Sequence, residues 1–281
     1  MKGTLYIVST PIGNLEDITL RALRVLKEVD LVAAEDTRYS VRLLSHYGIS
    51  RPLISYWGER EKVRAEAVLK RLHEGQSVAL TSDAGTPGIS DPGSVLIEKA
   101  AREGINIVSV PGPSALVAAL SISGLPIREF TFIGFLPSRK SQRQKMLKEL
   151  NLEKRTLVFY EAPHRISGTL KDMVEIFGER NAALVKEITK IHEEVLRGDL
   201  QDIFAMMHNK TLAGEYVIVV EGKRQGAICL DDALDEVRAL MKKGRGRKEA
   251  VRTVSKQYGL SKKELYGRSL EGDFGYEHPV P

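Results

Sequence analysis

The sequence contains a single cysteine, Cys229, in 281 residues, so no internal disulfide can form and no cysteine-based zinc cluster can be assembled. Its six histidines, His46, His73, His164, His192, His208 and His278, show no paired ligand spacing of the His-Glu-x-x-His kind, and no structural metal is expected. No apolar run approaches the roughly 20 residues that cross a bilayer. The opening run Leu5-Tyr6-Ile7-Val8 is interrupted by Ser9, Thr10 and Pro11 before a signal-peptide core is reached, so a cytoplasmic address and no membrane partner are expected.

What is present is an ordinary globular composition, 42% hydrophobic and 28% charged. At this length one core rarely keeps growing, and two or three domains are expected. The net charge of +5 is unevenly spread. Between Arg238 and Arg268 eleven Lys or Arg face two acids, a local +9 that leaves the rest of the chain at −4. A regional excess of this kind points to a polyanion held by the C-terminal part, through Lys242, Lys243, Arg245, Arg247, Lys248, Arg252, Lys256, Lys262 and Lys263; a merely solvated basic face is the other reading.

Along residues 1–123, short apolar runs alternate with amphipathic segments. Strands are predicted over 4–9, 29–34, 52–55, 77–82 and 105–110, with helices over 20–28, 40–47, 59–74, 94–103 and 114–122. This is the pattern of an α/β layer with a mostly parallel sheet, whose ligand sites lie beyond the strand ends. Residues 124–222 carry less regular strands (130–135, 155–160, 182–187, 193–197, 216–221) and helices (142–150, 165–177, 199–208), predicting a second α/β domain with a mixed sheet. A linker over 223–230, a helix-turn-helix-like basic module over 231–270 and a tail over 271–281 complete the chain. In the module, Leu234, Val237 and Met241 share one face, Val251 and Val254 another, and Ser261-Lys262-Lys263-Glu264 has the form of a capping box.

Four segments are costly to explain by packing alone. Ser9-Thr10-Pro11-Ile12-Gly13-Asn14 follows the first strand with backbone freedom and polar groups suited to a close approach, or to a bare turn. Ala34-Glu35-Asp36-Thr37-Arg38 sets carboxylates beside an arginine, to orient a ligand or to close a salt bridge. Ser82-Asp83-Ala84-Gly85-Thr86-Pro87-Gly88-Ile89-Ser90-Asp91-Pro92-Gly93 packs three glycines and two prolines into twelve residues, a shaped loop with neither a G-x-G-x-x-G fingerprint nor a Gly-Lys-Ser/Thr phosphate loop. Pro111-Gly112-Pro113-Ser114-Ala115 opens a helix, where Ser114 is a cap or the helix N-terminus receives a ligand carboxylate.

These four segments, with Phe132 to Pro137 (FIGFLP), Tyr160 to Arg165 (YEAPHR) and Gly214 to Val217 (GEYV), resemble the tetrapyrrole (corrin/porphyrin) methylase superfamily in order and content. The first loop lacks the glycine-rich form usual in tetrapyrrole-modifying members, so the likeness is to the branch that acts on ribosomal RNA. The resemblance implies a two-domain fold with S-adenosylmethionine in an interdomain cleft. Cofactor contacts are implied for Pro11, Ile12, Gly13, Asn14, Asp83, Ala84, Gly85, Thr86, Pro87, Gly88, Ile89, Ser114, Ala115, Tyr160, Glu161, Ala162, Gly214 and Glu215. The implied reaction is 2′-O-methylation of a cytidine ribose in the decoding region of 16S rRNA within the small subunit, by a homodimer. Glu161 or Asp36 is expected to take the hydroxyl proton, with Arg38, Arg165 or Lys186 on nearby phosphates. Methylation of a small precursor or protein residue, and a noncatalytic ribosome-assembly role, are the competing expectations.

Overall fold

The computed structural model describes residues 2–57, 61–207, 212–223, 230–258 and 260–271. Its first half is a five-stranded, all-parallel sheet of β1 (Thr4–Val8), β2 (Leu31–Ala34), β3 (Leu53–Ser55), β4 (Val78–Thr81) and β5 (Asn106–Val110), in the order β3-β2-β4-β1-β5. The central strands β2 and β4 are buried along their whole length, as parallel strands covered on both faces must be. One face packs on α3 (Glu61–His73) and α4 (Ser94–Arg102) through Leu5, Leu72, Leu80 and Leu96; the other packs on α1 (Leu20–Glu28) and α2 (Thr37–His46) through Val8, Leu26, Val32 and Leu44. In α1 the spacing of Ala22, Val25 and Leu26 makes the buried stripe, and Thr19 caps the helix by accepting from the Ala22 N–H at 3.1 Å.

Strand order fixes where a ligand can sit. From β1 the chain crosses to β2 on one side, and from β4 it crosses to β5 on the other. The loops leaving these neighbouring strands therefore part company, opening a crevice at the carboxyl edge.

The second half is a mixed sheet of β6 (Phe130–Phe135), β7 (Thr156–Glu161), β8 (Asn181–Lys186), β9 (Glu194–Asp199) and β10 (Tyr216–Val220), ordered β6-β7-β10-β8-β9, with only β6 and β7 parallel. One face carries α6 (Lys140–Leu150), α7 (Pro163–Phe177) and α8 (Leu200–Met207) over Phe159, Leu184 and Ile218. Across the other face lies α5 (Ala115–Ser123), whose Ala119 and Leu120 pack on Val158, Ala183 and Val217. Because α5 leaves β5 of the first sheet, this contact fastens the two halves together.

A helical bundle follows: α9 (Leu230–Lys242), α10 (Arg247–Tyr258) and α11 (Lys262–Glu271) enclose Leu234, Val237, Val251, Val254 and Leu265. Ser261 caps α11, accepting from the Glu264 N–H at 3.3 Å. Observed elements follow the predicted ones closely. The main departures are α2, which starts three residues early because Asp36 caps it, and a one-turn 3-10 helix over Leu15–Asp17 capped by Asn14. Residues 59–60 and His208 of the expected helices, Cys229, most of the linker over 223–230 and residues 272–281 of the tail lie outside the described residues. Among the described residues no helix is long and apolar enough to cross a membrane, and no three His, Cys, Asp or Glu converge as metal ligands.

Candidate functional site

The loops after β1, β4 and β5 interlock. Thr10 and Gly85 form an antiparallel bridge, exchanging N–H···O bonds of 2.9 and 3.0 Å. Ser9 Oγ and Thr86 Oγ1 lie 2.8 Å apart, and Thr10 Oγ1 donates to the Ser82 carbonyl at 3.0 Å. Gly85 has φ +79°, the left-handed region that a side chain resists. Gly112 packs so closely on Ser9 that a Cβ there would stand 2.9 Å from the Ser9 Cβ. The loop after β2 joins through a reciprocal pair of bonds: the Asp36 N–H donates to Asp83 Oδ1 at 3.0 Å, and the Asp83 N–H to Glu35 Oε2 at 3.2 Å.

Above these loops lies a cavity of about 380 Å³, within the range of small-molecule sites. The first half contributes Ile12, Ala84, Gly85, Thr86, Ile89, Ser90, Asp91, Ser114 and Ala115. The second contributes Phe135, Tyr160, Glu161, Ala162, Pro163, Val185, Ile188, Glu215, Tyr216 and Val217. Tyr160 ties the two walls, its hydroxyl accepting from the Leu116 N–H in the first turn of α5 at 3.1 Å. Burial, relieved in part by that N–H, raises the Tyr160 pKa. Its ring meets Phe132 and Phe135 edge-on, with centroids 5.0 and 5.7 Å away.

Of the residues expected at a cofactor, Ile12, Ala84, Gly85, Thr86, Ile89, Ser114, Ala115, Tyr160, Glu161, Ala162 and Glu215 line this cavity. Pro11, Gly13, Asn14, Asp83, Pro87, Gly88 and Gly214 are not among the residues that line it. Asn14 caps the 3-10 turn through the Glu16 N–H at 3.0 Å. Gly13 lies under Lys190, where a Cβ would fall 2.4 Å from the Lys190 Cγ, and Gly214, at φ +84°, lies equally close under Glu187. Lys190 Nζ in turn pairs with Glu187 Oε1 at 2.8 Å and Glu215 Oε2 at 3.0 Å, which closes this side of the site. Ser114 caps α5, its hydroxyl 3.5 Å from the Val117 N–H.

Ser90, Asp91, Phe135, Pro163, Val185, Ile188, Tyr216 and Val217 line the cavity without having been singled out. Ser90, Asp91, Phe135, Pro163, Tyr216 and Val217 sit within the Ser82–Gly93, FIGFLP, YEAPHR and GEYV motifs. Val185 is an apolar strand residue with no sequence signal that separates it from core.

The ionisable residues divide by their surroundings. Asp36 caps α2 and is clasped by Arg38, with Nη2 to Oδ2 at 2.7 Å; the guanidinium holds the Asp36 carboxyl down to about 2. Glu161 is buried with both oxygens engaged, Oε2 by the Thr169 hydroxyl at 2.6 Å and Oε1 by the Ala162 N–H at 2.9 Å. Arg165 Nε lies 3.2 Å from Glu161 Oε1 without hydrogen-bond alignment, and its Nη2 donates to the carbonyls of Leu136 at 2.5 Å and Pro137 at 3.2 Å. Strand alternation puts Lys186 on the face of Leu184, opposite the cavity residue Val185. Asp91 is different: it lines the cavity, and no salt bridge reaches it among the described residues. Burial raises the Asp91 pKa above 3.8 against a hydrogen bond from the Ser82 side chain, and the charges of Asp83 and Glu215 push it the same way as burial.

In the bundle, Lys242, Lys243, Arg245, Lys248, Arg252, Lys256, Lys262 and Lys263 are exposed and Arg247 is half-buried. Arg245 Nη1 lies 4.0 Å from Glu249 Oε1. These cations lie in a cluster of their own, whose core holds no residue of either sheet.

The model of the family described as Tetrapyrrole (Corrin/Porphyrin) Methylases matches residues 4–203. Ribosomal RNA small subunit methyltransferase I of Halalkalibacterium halodurans is 43% identical over 271 residues, covering 94% of each chain. The protein of that name from Thermotoga maritima is 48% identical over 221 residues, which span 79% of this chain and 99% of the relative. Among solved structures, the uroporphyrin-III-C-methyltransferase of Thermus thermophilus is similar with a TM-score of 0.56 and 26% identity, over 78% of this chain and 94% of that one. The methyltransferase CobJ reaches a TM-score of 0.59 at 20% identity, over 79% and 95%, a likeness of fold.

Proposed function

The chain belongs to the tetrapyrrole (corrin/porphyrin) methylase family, and from that premise we infer that it methylates the 2′-hydroxyl of a cytidine in the decoding region of 16S rRNA, using S-adenosylmethionine. The observation that carries this reading is the identity of 43% over 94% of both chains with a ribosomal RNA small subunit methyltransferase, in a chain whose loops after β1, β4 and β5 frame one cavity.

The cavity fits the cofactor. Gly85 offers backbone without a side chain on one wall, the first turn of α5 offers N–H groups at Ser114 and Ala115, and Ile12, Ile89, Val185 and Val217 supply apolar surface. S-adenosylmethionine, when bound, supplies a methyl group already activated by its sulfonium. The chain's remaining work is to align the ribose hydroxyl and to accept its proton.

Among the carboxylates, Asp91 suits the proton best: it faces the cavity, and burial makes it a stronger base. Asp36 is held too acidic by Arg38, and Glu161 is committed to the corner between β7 and α7. Arg38, 87% exposed at its side chain, remains available to a phosphate at the rim, while Arg165 shapes the loop after β6.

The basic bundle adds contacts to phosphates, which raise affinity without naming a base. The Thermotoga maritima relative, spanned almost entirely by about four-fifths of this chain, supports reading the methylase unit as sufficient for target choice. A cytoplasmic homodimer bound to the small subunit completes the reading, with dimerisation checked by light scattering. Transfer of labelled methyl groups to small subunits that lack the ribose modification tests the function itself.

A further inference from the structure

We propose that Phe135 is the stacking platform for the unpaired base of the acceptor nucleotide, and so a positioning residue for the transfer. The proposal rests on the function inferred above and assigns the contact that would hold its substrate.

The strand β6 is irregular. Phe132 pairs with Val158, but the next partner, Phe159, is met by Gly134, so Ile133 is an extra residue in the ladder. Without that bulge, alternation would turn Phe135 to the face of Phe159, into the core beneath α6 and α7. With it, Phe135 pairs with Tyr160 and turns to the cavity face, joining Phe132. Gly134 has φ +73°, and a Cβ there would come 3.8 Å from Ser90 Oγ, so the bulge rests against the loop that follows β4. The next residue, Leu136, is back in the core, 2% exposed. A one-residue bulge thus places a single aromatic ring at the cavity rim.

That ring is 55% exposed although it lines the cavity, and it meets Tyr160 edge-on. An aromatic held this way gives up apolar burial that a regular strand would have provided. An RNA acceptor supplies the missing partner, because a nucleotide presented for chemistry leaves its own stack and needs another face. The rigidity needed is present: Arg165 grips the carbonyls of Leu136 and Pro137 directly behind the ring. Arg139 and Lys140, exposed just beyond, are placed to meet the flanking phosphates.

The test compares Phe135→Ala, Phe135→Leu and Phe135→Trp with the unaltered full-length protein. It measures kcat and KM on small subunits lacking the ribose methyl group, and S-adenosylhomocysteine affinity by calorimetry. The expected result is a KM for subunits raised about 10- to 100-fold in the Ala and Leu variants, as loss of one stacked base implies. The Trp variant stays near the unaltered protein, and cofactor affinity stays within about twofold in all three. A Leu variant that behaves as the unaltered protein shows that only volume matters and overturns the proposal. So does a parallel fall in cofactor affinity, which would put the ring on the cofactor. If the unaltered protein transfers methyl groups and the variants do so equally well, stacking fails while the inferred function stands; no transfer by the unaltered protein overturns both.

Discussion

Thr10 and Gly85, seventy-five positions apart in the chain, exchange both backbone hydrogen bonds where β1 and β4 end. This two-bond bridge closes the crevice that diverging crossovers open between neighbouring strands, and turns it into the floor of the cavity. Glycine is favoured there by the backbone, since φ is +79°.

Gly85→Ala is expected to cost about 1–2 kcal/mol through its left-handed backbone, lowering the midpoint of thermal unfolding by a few degrees. The new Cβ meets the Ile12 Cγ2 at 3.5 Å, an ordinary contact, but takes up space at the cavity wall, and S-adenosylhomocysteine affinity should fall about tenfold or more. Calorimetric titration reads this; unchanged affinity would remove Gly85 from the cofactor site.

Asp91→Asn separates stability from catalysis. Burial raises the folded pKa above 3.8, so the protonated carboxyl is favoured in the fold, and ionisation costs stability as pH rises from 3.8 through the folded value. The Asn variant should therefore unfold at a higher temperature than the unaltered protein at pH 7, with the gap closing as pH falls through the raised folded pKa towards 3.8. Its kcat should drop by about 10² to 10⁴ if Asp91 is the base. In the unaltered protein the acid limb of activity should lie above 3.8. A kcat within tenfold of normal assigns the proton to another group.

Most of the fold was legible because apolar period and loop composition change together along the chain. The α1 stripe, the buried runs of β2 and β4 and the Ser261 cap all follow from local spacing. The site was legible where chemistry needs unusual residues, as in the Gly/Pro loop holding Gly85 and Asp91. It was opaque where a strand end supplies plain carbon: Val185 reads as core, and it is buried in an apolar cluster as well as lining the cavity. Phe135 was hidden for a different reason, since a bulge reverses alternation, and a sequence carries its consequence only once the pairing of Gly134 with Phe159 is known. Asp36 and Glu161 carry carboxylates in suggestive motifs, and only their partners reveal one as a helix cap and the other as a corner brace.

Glu161→Ala should destabilise the protein by about 3 kcal/mol, since it leaves Arg165 without its buried partner and the Thr169 hydroxyl without an acceptor. Asp36→Asn should change stability little, because Asn also caps helices. Thermal unfolding compares the two. A Glu161→Ala protein of normal stability but no activity would return the base to Glu161.

Removal of residues 231–281 should leave S-adenosylhomocysteine binding within about twofold while weakening binding to small subunits. The intact protein should lose affinity with salt at a logarithmic slope of roughly −2 to −5, for about three to five phosphate contacts, and the shortened protein at a shallower slope. Equal loss of both ligands would show that the bundle supports the methylase fold rather than the RNA.

The central claim is tested most directly by incubating the protein with isotopically labelled S-adenosylmethionine and small subunits that lack 2′-O-methylation, then resolving the labelled nucleosides by mass. The expected result is label on the ribose of one cytidine in 16S rRNA. Label on a base would contradict the assigned acceptor, and no transfer to subunits or free 16S rRNA would contradict the inferred function.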